Sequence, residues 1–233
     1  MNVGVLAVQG AFAEMAAYWR AQGADVFEIR QLSDLDRGMD MLALPGGEST
    51  VQGKLLTELG LFAPLKERID GGLPVFAVCA GLILLAEKIE DDGGRAEVRP
   101  SRWFGSLPAT VRRNAYGRQL GSFTTVGTFN GEEDVPMTFI RAPAITAVSP
   151  EAETLSTFNG QPTSVRWRNI TAFTWHPELG LNKAHKTRSD IHGIIYANAP
   201  KHSRLANLVE CRNKRLKSRQ CIRNILVTEG DAL

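Results

Sequence analysis

Leu73–Ala86 reads LPVFAVCAGLILLA and is the longest apolar run of the chain. A membrane span needs roughly 20 apolar residues, whereas this run has 14. We therefore interpret it as core: Pro74–Val78 is predicted as a strand, and Ala80–Ile89 as a helix that follows Cys79 without a gap. A strand leading directly into a helix indicates an α/β fold.

The segments before this run alternate between strand and helix patterns. We predict strands at Val3–Gln9, Ala24–Arg30 and Met39–Leu44, and helices at Ala11–Gln22 and at Thr50–Arg68 with a break around Gly60. This alternation predicts a doubly wound, mostly parallel sheet flanked by helices. After residue 94, short β-rich segments predict antiparallel additions and late strands of the same domain: 110–111, 122–128, 138–140 and 170–174.

The composition is that of a folded protein with a sizeable core. The 233 residues are 43% hydrophobic and 22% charged, which excludes disorder and low-complexity scaffolds. The start of the chain lacks the basic segment of a signal peptide, and three widely separated cysteines provide no disulfide framework. We therefore expect a cytoplasmic protein that does not enter a membrane.

Charge, histidine and cysteine divide the chain into two parts. Residues 1–178 carry 16 Lys+Arg and 21 Asp+Glu, whereas residues 179–233 carry 11 and 4. We predict a domain over residues 1–179 and an atypical basic tail over residues 180–233. Cys79 and His176 are the only cysteine and histidine before residue 179, so thiol–imidazole chemistry in the domain has one candidate pair.

Cys79 stands where a strand is predicted to meet a helix. A nucleophile on such a turn is exposed at the sheet edge, and the free N–H groups of the following helix favour a thiolate and can stabilise an oxyanion. The alternative is that Cys79 is an inert buried side chain, as most free cysteines are.

His176 and Glu178 follow a predicted strand near the end of the domain. Residues two apart in extended backbone share a face, so the carboxylate can orient the imidazole as the base for a thiol. A solvated histidine beside a solvated glutamate is the alternative.

Two further segments are candidates for substrate binding. Pro45–Thr50 (PGGEST) is glycine-rich and precedes a helix, which suits a carboxylate or oxyanion, but it lacks P-loop spacing. An ordinary turn with Ser49 as the helix N-cap is the alternative. Arg112–Gln119 and Arg141 supply guanidinium groups that either bind a substrate carboxylate or lie on a solvated face.

Together these segments resemble the class I glutamine amidotransferases, and more narrowly the glutaminase subunits of pyridoxal 5′-phosphate synthase. The matching blocks span residues 3–179 in family order: GVLAVQGAFAE, LPGGEST with GKLL, CAGLILLA, RRNAYGRQLGSF, FIRAP and HPEL. GGES and the cysteine turn are shared across class I glutaminases, whereas RRNAYGRQLGSF and FIRAP are much narrower. The resemblance implies a flavodoxin-like class I glutaminase fold.

The resemblance also implies a role for each matching residue. Cys79 would attack L-glutamine, His176 would transfer protons and Glu178 would orient His176. The backbone N–H groups of Gly47 and Ala80 would stabilise the oxyanion. The glutamine pocket would be lined by Gly47, Glu48, Ser49, Arg113, Ile140 and Arg141.

The partner implied by the resemblance is a lyase subunit that receives the ammonia and builds pyridoxal 5′-phosphate. Twelve glutaminases would surround twelve lyase subunits. Glutamine hydrolysis would need neither a metal nor an organic cofactor.

The sequence departs from the family in two places. Ala77 replaces the usual glycine before the nucleophile, and Gly180 follows HPEL where the family usually has a threonine and a closing helix. Ser189–Tyr196 faintly resembles that helix, displaced by an insertion. We expect an intact site in a protein less stable than its relatives.

Other functions remain open at this point. The chain could be a glutaminase for a histidine-pathway or purine-pathway synthase, although FIRAP and GRQ argue against it. It could also be a non-catalytic partner-binding protein, for which the altered tail is the only support. Nucleic-acid binding by the tail is not expected without interleaved aromatic residues, and its Cys211, Cys221 and three histidines do not have metal-ligand spacing.

Overall fold

A computed structural model of the chain describes residues 1–90, 100–115 and 122–182. The first half alternates strands and helices as follows: β1 (Asn2–Leu6), α1 (Phe12–Ala21), β2 (Asp25–Ile29), β3 (Met41–Leu44), α2 (Ser49–Glu58), α3 (Phe62–Asp70), β4 (Val75–Val78) and α4 (Ala80–Leu85). Strands dominate the second half: β5 (Ala86–Glu90), β6 (Leu107–Arg112), β7 (Ser122–Phe129), β8 (Glu132–Ile140), β9 (Ala144–Val148), β10 (Glu153–Phe158), β11 (Gln161–Trp167) and β12 (Ile170–Phe173). Short 3-10 helices cover Leu32–Asp36 and Pro177–Asn182.

The main sheet has nine strands in the order β2-β1-β3-β4-β12-β11-β10-β7-β8. The first five strands are parallel, and β12 lies beside β4 in the middle of the sheet. The last four continue the sheet antiparallel. This arrangement confirms the predicted α/β sheet with antiparallel additions. It also brings the carboxyl ends of β3, β4 and β12 to one edge, where ligand sites of α/β sheets form.

The predicted helix over Ala80–Ile89 is wrong in its second half. The helix ends at Leu85, and Ala86–Glu90 is β5, which pairs parallel with β6 in a separate three-stranded sheet. Ala86 and Ile89 are buried there. Contacts with a strand about twenty residues further along therefore override the local helical pattern.

The central strands are apolar because both of their faces are covered. Every residue of β3, β4 and β12 is buried, which is typical of parallel strands between two layers. Ala77 belongs to this set and is fully buried within β4. Among the described residues, no helix is both long and apolar enough to cross a membrane.

Gly81 allows α4 to begin against the end of β3. A Cβ atom at position 81 would lie 2.4 Å from the carbonyl oxygen of Leu44, which is backbone and cannot rotate away. We expect Gly81→Ala to lower the free energy of unfolding by about 1–3 kcal/mol. Urea unfolding measures this, with Gly38→Ala as control because a Cβ there would meet nothing within 4 Å. Equal stability of the two variants would contradict this account of Gly81.

Candidate active site

Three neighbouring strands deliver the candidate residues to one edge of the sheet. β4 ends directly before Cys79, β12 ends three residues before His176, and β3 leads into the glycine loop Pro45–Glu48. Because β3, β4 and β12 are adjacent, the segments that follow them meet.

Cys79 occupies a sharp turn between β4 and α4. Its backbone angles are φ 50° and ψ −100°, a conformation that few residues with a side chain adopt. Such strain persists only where the surroundings enforce it, and here the Cys79 N–H donates to the carbonyl of Phe173 at 2.8 Å. The side chain is 7% exposed, and it is hydrogen-bonded to His176. Cys79 is thus buried, but it is not the inert buried side chain of the alternative interpretation.

His176 is held between a backbone carbonyl and a carboxylate. The backbone N–H of His176 donates to the carbonyl of Thr138 on β8 at 2.8 Å, and its ring Nδ1 lies 2.6 Å from Oε1 of Glu178. Both side chains are buried, so neither is the solvated residue of the alternative interpretation. With Nδ1 bonded to Glu178, Nε2 is the nitrogen available to the thiol.

These contacts set the charge of the imidazole. Burial alone lowers the pKa of His176, but the hydrogen bonds that the imidazolium donates to Cys79 and Glu178, together with the negative charges of these two groups, outweigh burial and raise the pKa from 6.5 to about 10. The imidazole is therefore protonated at neutral pH and suits a thiolate partner. The stabilisation of the folded state by the protonated imidazole of His176 is complete below pH 6.5 and is lost as the pH rises through about 10.

Glu178→Gln tests the source of this charge. Glutamine keeps an oxygen for Nδ1 but removes the negative charge, so we expect the pKa of His176 to fall from about 10 toward 6.5. We also expect glutamate release to fall by at least about 100-fold. Histidine ring NMR titration measures the pKa, with the His176 signal assigned by its loss in His176→Asn. An unchanged titration in Glu178→Gln would contradict the role given to the carboxylate.

The glycine loop leads into the first turn of α2. Glu48, rather than Ser49, is the N-cap, since its carboxylate accepts hydrogen bonds from the N–H groups of Thr50 and Val51 at 3.1 and 2.7 Å. Burial opposes ionisation of Glu48, but these hydrogen bonds and the charge of Arg113 lower its pKa below 4.5. Ser49 is 3% exposed and belongs to the helix.

Arg113 directly follows β6 and reaches the same helix start. It is 3% exposed, its Nη1 donates to Oγ1 of Thr50 at 2.7 Å, and its Nη2 donates to the carbonyl of Pro100 at 3.3 Å. It is therefore not part of a solvated face.

One cavity of about 560 Å³ collects almost all of the predicted residues. The predicted residues that line it are Cys79, His176, Glu178, Gly47, Glu48, Ser49, Arg113, Ile140 and Arg141. Ala80 does not line it, but it is the first residue of α4 and follows Cys79 directly. Arg141, like Cys79, has a positive φ, 43°.

Several residues of this cavity were not expected to belong to the site. Glu14, Lys54 and Asn114 contribute to its wall. They stand within the matching blocks GVLAVQGAFAE, GKLL and RRNAYGRQLGSF, but the resemblance gave none of them a role. Gly46 is quoted within GGES, but only the structure places it against both catalytic side chains: a Cβ there would lie 2.6 Å from Cε1 of His176 and 3.6 Å from Cβ of Cys79.

Some predictions lie outside the described residues. They concern residues 116–121 of the RRNAYGRQLGSF block, the resemblance of Ser189–Tyr196 to a closing helix, and the basic tail beyond residue 182. Within the described ranges, no group of three or more His, Cys, Asp or Glu side chains could hold a metal ion.

Comparison with known proteins places the chain among the glutaminases. Residues 5–192 match the model of the SNO glutamine amidotransferase family. A pyridoxal 5′-phosphate synthase subunit PdxT of Desulfitobacterium hafniense is 51% identical over 179 residues, 77% of this chain and 86% of the relative. The subunit of the same name from Bifidobacterium longum is 47% identical over 182 residues, 76% of this chain and 92% of the relative.

A solved structure agrees with these relatives. A crystal structure of a glutamine amidotransferase superposes with a TM-score of 0.71 at 34% identity, covering 84% of this chain and 98% of that one. The match of the family model and the identity to the relatives extend over about three quarters of the chain or more. The chain belongs to the SNO glutamine amidotransferase family.

Proposed function

We propose that the chain is the glutaminase subunit of a pyridoxal 5′-phosphate synthase. It hydrolyses L-glutamine to L-glutamate and ammonia and passes the ammonia to a lyase partner. The observation that carries this proposal is the Cys79–His176–Glu178 array, which shares one cavity with the glycine loop. The partner is proposed because relatives about half identical to this chain are named as subunits of that synthase.

Hydrolysis begins with attack by the Cys79 thiolate on the side-chain amide carbon of glutamine. The carbon–sulfur bond forms as the carbonyl electron pair moves onto oxygen. In our proposal the backbone N–H groups of Gly47 and Ala80 stabilise this oxyanion. Ala80 suits the role because the first N–H groups of a helix have no helical partners.

The intermediate then collapses to a γ-glutamyl thioester on Cys79. The carbon–nitrogen bond breaks, and protonated His176 gives its proton to the leaving ammonia. Neutral His176 next takes a proton from the water that attacks the thioester, which releases glutamate and restores the thiolate. Glu178 keeps the imidazole oriented through both steps.

The remaining cavity residues bind glutamine in this proposal. Ser49 and the loop around Gly47 supply backbone groups, and Ile140 supplies an apolar wall that is 37% exposed. Arg113 and Arg141 provide positive charge for the α-carboxylate. Because the Glu48 carboxylate caps α2, we assign its contribution to its backbone.

The wider setting is also a proposal. It comprises a twelve-plus-twelve assembly with the lyase, a cytoplasmic location, a glutaminase domain over residues 1–179 and a separate tail over residues 180–233. Neither a metal nor an organic cofactor takes part in the steps above.

The test is glutamate release from L-glutamine by the full chain, with and without the lyase subunit. We expect release that depends on the partner, together with co-elution of the two proteins. Release with a folded chain that binds only another synthase would favour a different pathway. Absence of release from a folded, partner-bound chain would favour the non-catalytic alternative.

A further inference from the structure

Gln52 is a fully buried polar side chain beneath the glycine loop. It lies in the second turn of α2 and is 0% exposed, and it is not among the residues that line the candidate active-site cavity. Its Nε2 donates to the carbonyls of Gln9 at 3.0 Å and Pro45 at 3.3 Å. One amide group thus joins the turn after β1 to the loop after β3.

Gln9 strengthens the same connection from the other side. Its Oε1 accepts a hydrogen bond from the N–H of Glu48 at 2.8 Å, and the N–H of Ala11 donates to the carbonyl of Gly46 at 2.9 Å. The two loops are therefore joined by side-chain and backbone hydrogen bonds at several successive residues.

The glycine loop lies directly against these amides. A Cβ at Gly47 would lie 2.5 Å from Oε1 of Gln9 and 2.9 Å from Nε2 of Gln52. On the opposite side, Gly46 lies against His176 and Cys79. A shift of the amides would therefore move the backbone that faces the reacting groups.

We propose that Gln52 is a positioning residue for glutamine hydrolysis, because its buried amide ties the Gln9–Gly10 turn to the Pro45–Glu48 loop and so fixes the Gly46–Gly47 backbone beside Cys79 and His176. This inference rests on the proposed function, in which the N–H of Gly47 stabilises the oxyanion. Displacement of a reacting group by about 1 Å can cost about 100-fold in rate.

The hydrogen bonding of Gln52 argues that its role extends beyond folding. Among the described residues its Oε1 has no hydrogen-bond partner, and an unsatisfied buried oxygen is unfavourable for stability. Methionine has a similar size and shape without either the donor or this oxygen. Gln52→Met should therefore have a small effect on the free energy of unfolding and a larger effect on the position of the loop.

The experiment compares Gln52→Met with Thr57→Val in the full chain bound to the lyase subunit. Thr57 lies on the same helix, and its Oγ1 donates to the carbonyl of Gly53 within that helix, so loss of the hydroxyl leaves both loops intact. For Gln52→Met we expect kcat for glutamate release to fall by about 10- to 100-fold while KM changes less than about threefold. The rate of Cys79 alkylation by iodoacetamide, which needs no oxyanion donor, should stay at the wild-type value.

Hydrogen exchange provides a readout that does not depend on turnover. Backbone amides of residues 7–11 and 46–50 should exchange faster in Gln52→Met than in wild type or Thr57→Val. If Gln52→Met does not fold, Gln9→Met carries the same expectations, since it removes the acceptor of the Glu48 N–H.

The outcomes separate the inference from the proposed function. An active wild type with unchanged kcat and exchange in Gln52→Met would overturn the inference and leave the function standing. A fall in kcat matched by an equal fall in iodoacetamide alkylation would also overturn it, because Cys79 itself would then be displaced. An inactive wild type with faster loop exchange in the variant would overturn the proposed function while supporting the tie between the loops.

Discussion

Cys79→Ala is expected to reduce glutamate release by a factor on the order of 10⁴ or more. The variant removes the thiol that lies in the cavity beside a protonated histidine and its carboxylate. Its fold should persist, because alanine fills most of the volume of a buried cysteine at a turn held by the backbone bond to Phe173. Coupled detection of glutamate in the presence of the lyase subunit measures the effect.

The matched controls are the two cysteines of the tail. Cys211→Ala and Cys221→Ala lie outside the domain that the family resemblance covers, and we expect wild-type rates for both. Cys79→Ala with more than about one tenth of wild-type release would contradict covalent catalysis, since the non-covalent site could not sustain that rate.

Gly46→Ala is expected to lower glutamate release by at least about 100-fold without removing any polar group. The new methyl would lie 2.6 Å from Cε1 of His176, which is closer than real Cβ atoms approach a neighbour. His176 cannot yield easily because Thr138 and Glu178 fix its backbone and ring. Displacement of the imidazole from Cys79 should therefore reduce kcat.

Gly38→Ala is the control for this substitution. Position 38 precedes β3, whereas the glycine loop follows it, so the two lie at opposite ends of the strand. A Cβ at position 38 would meet nothing within 4 Å. We expect its activity and urea midpoint to equal those of wild type. Wild-type kcat in Gly46→Ala would show that the loop does not lie against His176 as described.

The sequence predicts the local elements of the first half because their patterns are local. The apolar run from Val75 into Ala80 predicts a strand followed by a helix, as observed. The predicted break at Gly60 separates α2 from α3. The helix prediction fails over Ala86–Ile89 because Leu82–Leu85, which precede this segment, are all buried, so the hydrophobic spacing shows no single apolar face by which to place the end of the helix. The strand character of Ala86–Glu90 arises from β6, which the local pattern does not contain.

The order of the strands also lies beyond local patterns. Nothing in Ile170–Phe173 indicates that this late strand inserts beside β4 in the centre of the sheet. That insertion places His176 beside Cys79, almost one hundred residues away in sequence. The count of one cysteine and one histidine in the domain predicted the pair, but only the topology explains their contact.

The candidate site divides in a similar way. Residue types with distinctive chemistry, such as Cys79 and His176, are visible in the sequence because few alternatives exist. Ser49-x-x-Gln52 has the spacing of a capping box, which would direct Gln52 back to the helix start. Since Glu48 is the N-cap instead, Gln52 lies one position further along and reaches Gln9 and Pro45.

The most direct test of the central claim is covalent labelling of the full chain with a glutamine-mimicking electrophile in the presence of the lyase subunit. Peptide mass spectrometry then locates the adduct. Our account predicts one adduct, on Cys79, that L-glutamine prevents and that is absent from His176→Asn. Labelling spread over Cys79, Cys211 and Cys221 and unaffected by L-glutamine would contradict it.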